Sequence, residues 1–237
     1  MKNLVFYSKE FEAEVRSELR IYDRPITDED ALLVNELDCS GFTFNSEDRE
    51  TLCAFKNLEL LNINIGLTDF SFLQNFEFLE ELSLEFYQRT FDVDLLPLLH
   101  NLRSLLISGG SVSSFDFVNT DAFAKLAHLE DLTLHEFGSA DLSFLRNMPC
   151  LKYFYCGYAC RVDHIEAISA LENLASLTLI DIKIDDLQFL DALSSDMILD
   201  VIGVNVSNDY NIEKFKRFKE VEVSETLING TTVDLII

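Results

Sequence analysis

Basic residues are scarce in this sequence. Eighteen Lys and Arg stand against 42 Asp and Glu, which gives a formal net charge of -24 at pH 7. A surface of that sign repels nucleic acids and anionic membranes, so both are excluded as general partners. A basic protein partner remains open, and the alternative is that the excess acid only keeps the molecule soluble.

Long hydrophobic runs are also missing. The N-terminus has a four-residue apolar run before charges resume, which is shorter than the apolar segment of a secretory signal. No other stretch is apolar for long enough to cross a bilayer. The five cysteines are odd in number and do not suggest a secreted disulfide framework. We therefore expect a reduced, cytoplasmic protein, an expectation that fails if an export signal has been removed.

Glycine and proline are few, at eight and three residues. Eight glycines do not suggest a phosphate-binding loop, and the GxGxxG motif does not occur. GxSxG and HExxH are absent as well, so no nucleophile or metal motif accompanies the four histidines. We expect no catalytic residues, no enzyme activity and no cofactor.

Internal repetition is the strongest feature of the sequence. The spacing apolar-x-x-apolar-x-apolar occurs nine times, starting at 34, 58, 79, 102, 129, 151, 174, 199 and 218. The mean step between these starts is 23 residues, which lies in the range of leucine-rich repeats. Counting from each start, positions one, four and six of a repeat are apolar.

A second apolar column keeps phase with the first. It lies nine, six and three residues before four of the starts, as at Phe70/Leu73/Phe76, and is partly present before four others. This period predicts a short 3₁₀ return. Stacked units then predict an α/β leucine-rich-repeat solenoid, a horseshoe with a parallel concave sheet and short 3₁₀ or helical convex returns. The alternative is an ordinary α/β domain with leucine-rich helices, but nine phased strands leave no room for helices of normal length.

The two ends of the sequence carry capping and turn signals that differ from the repeat pattern. Ser8 is a predicted N-cap for a helix over 9–20, and Thr27 followed by Asp30 is a second capping signal. Near the C-terminus, the dipeptide Asn229-Gly230 favours a type I′ turn between two strands. The predicted regions of one structural domain are a helical N-terminal cap (1–33), the repeats (34–217), and the last repeat with a β-hairpin cap (218–237).

The run FEAEVRSEL, then PITDEDALLVNELDCSG, then repeats ending in Asp-apolar-x-x-Leu, resembles the internalin-type bacterial leucine-rich-repeat proteins. The matching residues are Phe11, Val15, Arg16 and Leu19 in the cap, Ile26, Thr27, Leu37 and Ser40 at its junction, and the repeat aspartates Asp69, Asp141 and Asp186. The resemblance covers almost the whole chain and implies the fold.

Position nine departs from the internalin pattern, which carries an Asn whose side chain bonds to neighbouring turns. This position holds Gly66, Tyr87, Gly110, Phe137, Ala159 and Ile182. We therefore expect the turns to satisfy their backbone groups in another way, and the solenoid to be irregular.

One cluster, Cys150, Cys156, Cys160 and His164, has side chains that suit zinc. However, Cys156 occupies position six, where other repeats have an inward Leu or Ile, so a small buried hydrophobe accounts for it better. The spacings are also longer than the usual CxxC. We expect a core residue with loop neighbours and no metal site.

The concave face is the predicted binding surface. Positions three, five and seven face solvent, with position eight at the rim, because side chains alternate along a strand. Exposed aromatic residues beside acids are typical of protein interfaces, although cross-strand tyrosines also help a sheet to pack. The predicted partner-binding residues are Tyr153, Tyr155, Tyr158, His135, Asp131, Glu136, Phe86, Glu81, Glu85 and Leu106.

These observations favour a non-enzymatic bacterial scaffold that recognises a protein, with a basic partner fitting its charge, through the concave face of the solenoid. The alternative is a secreted or surface-displayed adhesin of internalin type. The resemblance implies an export signal and a surface anchor for that alternative, and we expect neither from the apolar segments seen here.

Overall fold

The computed structural model describes residues 2–65, 70–110 and 115–236. Within them the chain forms a ladder of short strands and short returns. The strands in chain order are β1 (Glu36–Phe44), β2 (Leu60–Ile65), β3 (Glu81–Phe86), β4 (Thr90–Asp92), β5 (Ser104–Gly109), β6 (Phe115–Val118), β7 (Asp131–His135), β8 (Phe137–Asp141), β9 (Tyr153–Gly157), β10 (Arg161–Asp163), β11 (Ser176–Ile180), β12 (Lys183–Ile184), β13 (Ile198–Ile202), β14 (Asn205–Val206), β15 (Glu220–Ile228) and β16 (Thr231–Ile236).

The first strand of each repeat joins one parallel sheet. The order is β1-β2-β3-β5-β7-β9-β11-β13-β15, so neighbouring repeats are neighbours in space. The inward residues align from strand to strand, as Leu105 does with Leu132 and Leu132 with Phe154. All three are buried. The predicted solenoid and its parallel sheet are confirmed.

Repeat eight has a different register from the predicted one. Leu199 pairs with Leu177 and therefore occupies position four, so this repeat starts at Asp196 rather than at residue 199. Val201, assigned to the solvent side, is buried with 0% exposure, whereas Ile202, assigned to the core, is only half-buried. The steps from repeat five onward then become almost uniform.

The returns are short 3₁₀ helices, as predicted. They span Ser71–Asn75, Val93–Leu98, Thr120–Lys125, Ser143–Asn147, Ile165–Ala170, Gln188–Ala192 and Ile212–Arg217. Two repeat aspartates of the internalin pattern begin such returns: the backbone N–H groups of Ser143 and Gln188 donate to Asp141 and Asp186 at 2.8 and 2.9 Å. Asp69 lies outside the described residues.

A second, four-stranded parallel sheet, β4-β6-β8-β10, lies in the returns and has no counterpart in the sequence prediction. Phenylalanines pack between it and the long sheet. Phe86 contacts Phe115 with ring centroids 5.3 Å apart, Phe115 contacts Phe117 at 4.9 Å, and Phe117 contacts Phe137 at 5.4 Å. Edge-to-face contacts of this kind add to the stabilisation from burying the rings.

Position nine is filled by packing rather than by an asparagine ladder. Phe137, Ala159 and Ile182 are buried there, and Gly66 lies outside the described residues. Backbone bonds between repeats satisfy the turns instead. Position-eight N–H groups donate to position-seven carbonyls of the next repeat, from Glu136 to Gly157 (3.1 Å), Tyr158 to Ile180 (2.8 Å), Asp181 to Ile202 (2.9 Å) and Gly203 to Ser224 (2.9 Å).

The N-terminal end of the core is covered by a helix, α1 (Lys9–Leu19), whose Phe11 and Val15 are buried. Ser8 is its N-cap and accepts a hydrogen bond from the Phe11 backbone N–H at 3.1 Å. A shorter helix, α2 (Asp28–Ala31), begins with the predicted capping box of Thr27 and Asp30. Helix α3 (Arg49–Leu52) follows β1.

The C-terminal end is covered by the antiparallel hairpin of β15 and β16. Asn229 and Gly230 both have positive φ, 45° and 75°, as a type I′ turn requires. The two covers confirm the helical and hairpin caps, while the domain limits at residues 33 and 217 stay a prediction.

Candidate functional site

The concave face consists of positions three, five and seven of the nine long-sheet strands. Most of these side chains are exposed or half-buried, so solvent reaches the face. Their register is continuous across the middle strands: Leu106 pairs with Thr133, and Thr133 with Tyr155. A ligand bound there would contact side chains from several repeats at once.

Three rings meet in the middle of this face, and we call them the aromatic cluster: His135, Tyr155 and Tyr158. The His135 ring centroid lies 4.9 Å from that of Tyr158 and 5.8 Å from that of Tyr155. The Ser108 hydroxyl lies 3.1 Å from His135 Nδ1, at hydrogen-bond distance, and so helps to orient the imidazole. The cluster joins predicted residues from two adjacent repeats into one surface.

The rim of the cluster is shaped by left-handed backbone. Glu136, Tyr158 and Asp181 occupy position eight of consecutive repeats with φ of 54°, 55° and 47°. Each N–H is held by the next strand, which stabilises a conformation that side chains other than glycine rarely adopt. Tyr158 therefore stands at the rim with a carboxylate residue in the repeat on either side.

Tyr153, Asp131 and Leu106 extend the surface around the cluster. Tyr153 is 48% exposed and pairs in register with Asp131 on the preceding strand. Leu106 is 36% exposed, one strand further back. These residues lie where the sequence placed them, and their part in binding stays a prediction.

Phe86 was assigned to this surface wrongly. It is 1% exposed and packs against Phe91 and Phe115 with ring centroids 5.2 and 5.3 Å away. The physical reason is strand alternation: β3 runs without a turn through position eight, so Phe86 points inward like positions four and six.

Glu81 and Glu85 lie on the concave side of β3, but they differ in environment. Glu81 is exposed. Glu85 is half-buried and accepts hydrogen bonds from Asn64 Nδ2 at 2.9 Å and from the Tyr87 hydroxyl at 2.7 Å. The Glu85 carboxylate therefore supports its neighbours as well as contributing charge.

The charged side chains at positions three, five and seven of the concave face are all acidic. No Lys or Arg occupies positions three, five or seven of the nine strands, all of which fall within the described ranges. The acids at these positions are Glu36, Asp38, Glu81, Glu85, Asp131, Asp200, Glu220 and Glu222. The face is therefore suited to a cationic ligand rather than to an anionic one.

Burial affects the ionisation of three groups on this face. It raises the pKa of Asp131, with a further contribution from Glu81. Burial likewise raises the pKa of Asp200, which lies near Glu222 and Glu220. It raises the pKa of the Tyr155 phenol to about 12, so this hydroxyl stays neutral and able to donate a hydrogen bond at physiological pH.

The cysteine cluster is not brought together as a metal site. Cys156 is buried at position six, where burial raises the pKa of its thiol to about 12, while Cys150 and Cys160 are exposed. No group of three or more His, Cys, Asp or Glu within the described part of the chain could hold a metal ion. Across the same residues, no helix has the length and apolar character to span a bilayer.

Two features of the site were missed from the sequence. Gly157 leaves space for the Tyr155 ring, which lies where the β-carbon of a larger residue would be. Asp181 completes the rim beside Tyr158. A signal for the second was present, because Asp181 follows its repeat start by the same seven residues as Tyr158 and Glu136.

The architecture is that of a leucine-rich-repeat solenoid, with strands on the concave side, 3₁₀ returns and a cap at each end. Among solved structures the chain is similar to two internalins from Listeria monocytogenes str. 4b F2365. InlF matches at 20% identity over 94% of this chain and 71% of its own, with a TM-score of 0.69. InlC2 matches at 18% identity over 93% and 95%, with a TM-score of 0.68.

A plant peptide hormone receptor, RGFR1 in complex with RGF2, matches at 14% identity over 78% of this chain and 34% of its own, with a TM-score of 0.55. No protein-family model and no curated protein sequence matches the chain. At these identities the likeness concerns the fold. The internalin-type fold inferred from the sequence is thereby confirmed.

Proposed function

We propose that this protein is a non-enzymatic scaffold that binds a basic protein partner through its concave face. One observation carries the proposal: an accessible sheet face holds the aromatic cluster and eight acids, with no Lys or Arg at its positions three, five and seven. Aromatic rings provide large contact area at a low entropy cost, and surrounding acids attract a cationic partner.

Tyr153 and Tyr155 supply the central contacts in this proposal. Their strand lies between β7 and β11, so the partner can contact repeats on both sides of it. Truncation of a central interface aromatic typically costs about 2 kcal/mol or more of binding free energy. The acids around the tyrosines act mainly on the rate of association.

The test begins with affinity capture on the full chain from the native organism, followed by mass spectrometry of the bound proteins. Affinity is then measured by surface plasmon resonance for Tyr153→Ala and Tyr155→Ala. We expect each to weaken binding about 30-fold, the equivalent of about 2 kcal/mol. Leu98→Ala, an exposed apolar residue on a convex return, is the matched control and should leave the affinity unchanged.

The opposite pattern would overturn the proposal. If Leu98→Ala or other changes on the returns abolish binding while both tyrosine variants bind normally, the partner recognises the convex side. Thermal unfolding of each variant shows that any loss of affinity is not a loss of fold.

A second candidate is an internalin-like adhesin that is secreted or displayed on the cell surface. The similarity of the fold to InlF and InlC2 favours it. Fractionation of the native organism with an antibody to this chain separates the two candidates. Protein in the medium or at the cell surface supports the adhesin, and protein confined to the cytoplasm supports the scaffold.

A further inference from the structure

We propose that the aromatic cluster is the docking site for an arginine side chain of the basic partner. This inference rests on the proposed function and adds to it the residue type that the centre of the face recognises. The cluster supplies ring faces, the rim supplies carboxylates, and together they match a planar cation.

The rings form a shallow shelf rather than a packed core. Tyr155 lies across Gly157, where only a hydrogen atom stands in place of a side chain. Tyr158 is 46% exposed and meets the His135 ring at an interplanar angle of 67°. A cation placed within about 6 Å of a ring centroid is attracted by the electrons of its face.

Carboxylates flank this shelf on both sides. Glu136 and Asp181 occupy the rim position in the repeats before and after Tyr158. Adjacent parallel strands are about 4.8 Å apart. The Asp181 carboxylate lies over Gly203 of the following repeat. Burial raises the pKa of the Tyr155 phenol, and the charges of Asp181 and Glu136 both add to this effect. A guanidinium stacked on Tyr158 is therefore attracted by the acids on both sides of it.

Arginine fits this arrangement better than lysine does. Its guanidinium is planar, weakly hydrated and always charged, and it combines stacking with directed hydrogen bonds. The lysine ammonium is a strongly hydrated point charge and loses more solvation on the same surface. Anionic ligands find no Lys or Arg on the concave positions of the nine strands to compensate their charge.

The test compares three blocked peptides on the full chain: triarginine, trilysine and tricitrulline. Trilysine has the same charge as triarginine, so nonspecific attraction to the acidic surface affects both equally. Citrulline has the shape of arginine without the charge. Dissociation constants are measured by isothermal titration calorimetry at about 0.15 M salt, and NMR of labelled Tyr and His rings locates the peptide.

We expect triarginine to bind about fivefold more tightly than trilysine, to shift the ring signals of Tyr155, Tyr158 and His135, and to lose this advantage in Tyr158→Ala. Tyr158→Phe keeps the ring and should keep the advantage. Tyr22→Ala is the control, because Tyr22 is an exposed tyrosine on the N-terminal cap. Tricitrulline should not bind.

Equal affinities for triarginine and trilysine, an advantage that survives Tyr158→Ala, or no localised binding of either peptide would overturn the inference. These results are distinguishable from failure of the proposed function. If the peptide results contradict the inference while Tyr153→Ala still weakens binding of the captured partner, the concave face binds the partner but the aromatic cluster does not bind arginine. If no concave substitution changes binding of the partner, the proposed function itself is wrong.

Discussion

The phenol ring of Tyr155 lies across Gly157, so that a β-carbon on Gly157 would stand 2.8 Å from the Tyr155 hydroxyl oxygen. The glycine is needed here for space, because its φ lies outside the left-handed region. The absence of a side chain on Gly157 thereby leaves room for the ring at the centre of the concave face.

Gly157→Ala should displace the Tyr155 ring and weaken partner binding about tenfold, since the contact area at the centre is lost. Unfolding free energy should fall by about 1 kcal/mol or less, because the clash is with the mobile end of a side chain. Surface plasmon resonance and thermal unfolding measure the two effects. Gly41→Ala is the control, since nothing lies within 4 Å of its added β-carbon.

Val201→Thr should destabilise the fold by about 1–3 kcal/mol, because a hydroxyl replaces a methyl group at a fully buried position. Ile202→Thr should cost less than half as much, since this side chain faces the half-solvated concave side. Denaturant unfolding of both variants checks the register of repeat eight. A larger loss for Ile202→Thr would restore the register predicted from the sequence.

Asp131→Asn should stabilise the protein at pH 7 by about 0.5 kcal/mol or less, because solvent screens this half-buried carboxylate. Its pKa is raised in the fold, so its favourable contribution is complete below the unfolded pKa and is lost as the pH rises through the folded pKa. The difference between variant and wild type should therefore disappear in acid. Unfolding free energies measured from pH 3 to pH 7, a range of about 4 units around the carboxyl pKa, test this.

Asp30→Asn provides the control of opposite sign. Hydrogen bonds from Arg24 and Thr27 lower the pKa of Asp30, so its contribution is present above the unfolded pKa and is lost as the pH falls through the folded pKa. We expect this variant to lose about 1–3 kcal/mol at pH 7. Similar pH profiles for the two variants would contradict the assignment.

Glu81→Gln combined with Asp131→Asn should slow association with the partner several-fold and leave dissociation nearly unchanged, because dispersed acids steer a basic partner more than they hold it. The effect should shrink as salt is added. Surface plasmon resonance at two salt concentrations measures it. Glu172→Gln, an exposed acid in the turn after the Ile165–Ala170 return, is the control. An equal effect there would mean that only net charge matters.

The repeat phase made most of the fold predictable, because buried leucines recur at a spacing that few other architectures share. The register of repeat eight was not predicted correctly because Leu199, Ile202 and Val204 also have the apolar spacing of a repeat. The pairing of Leu199 with Leu177 shows the actual register. The burial of Phe86 was not predicted because the sequence does not show whether a strand turns at position eight or continues. The four-stranded sheet in the returns was not predicted because its strands are only three to five residues long.

The aromatic cluster was predictable in composition but not in geometry. Tyr155 and Tyr158 could be placed on one repeat, yet their meeting with His135 depends on side-chain rotamers and on the left-handed turn at Tyr158. Such choices follow from packing in three dimensions. These rotamer and turn choices produce no periodic pattern in the amino-acid sequence.

The backbone bonds that close the turns from Glu136 to Gly203 have an evolutionary consequence. In a ladder of asparagines, the side chain at position nine that holds the turn cannot change without weakening the fold. Here the main chain holds the turn, so position nine carries residues as different as Phe137, Ala159 and Ile182, all of them buried. Descendants of this protein can therefore repack single repeats at position nine while the solenoid is inherited intact.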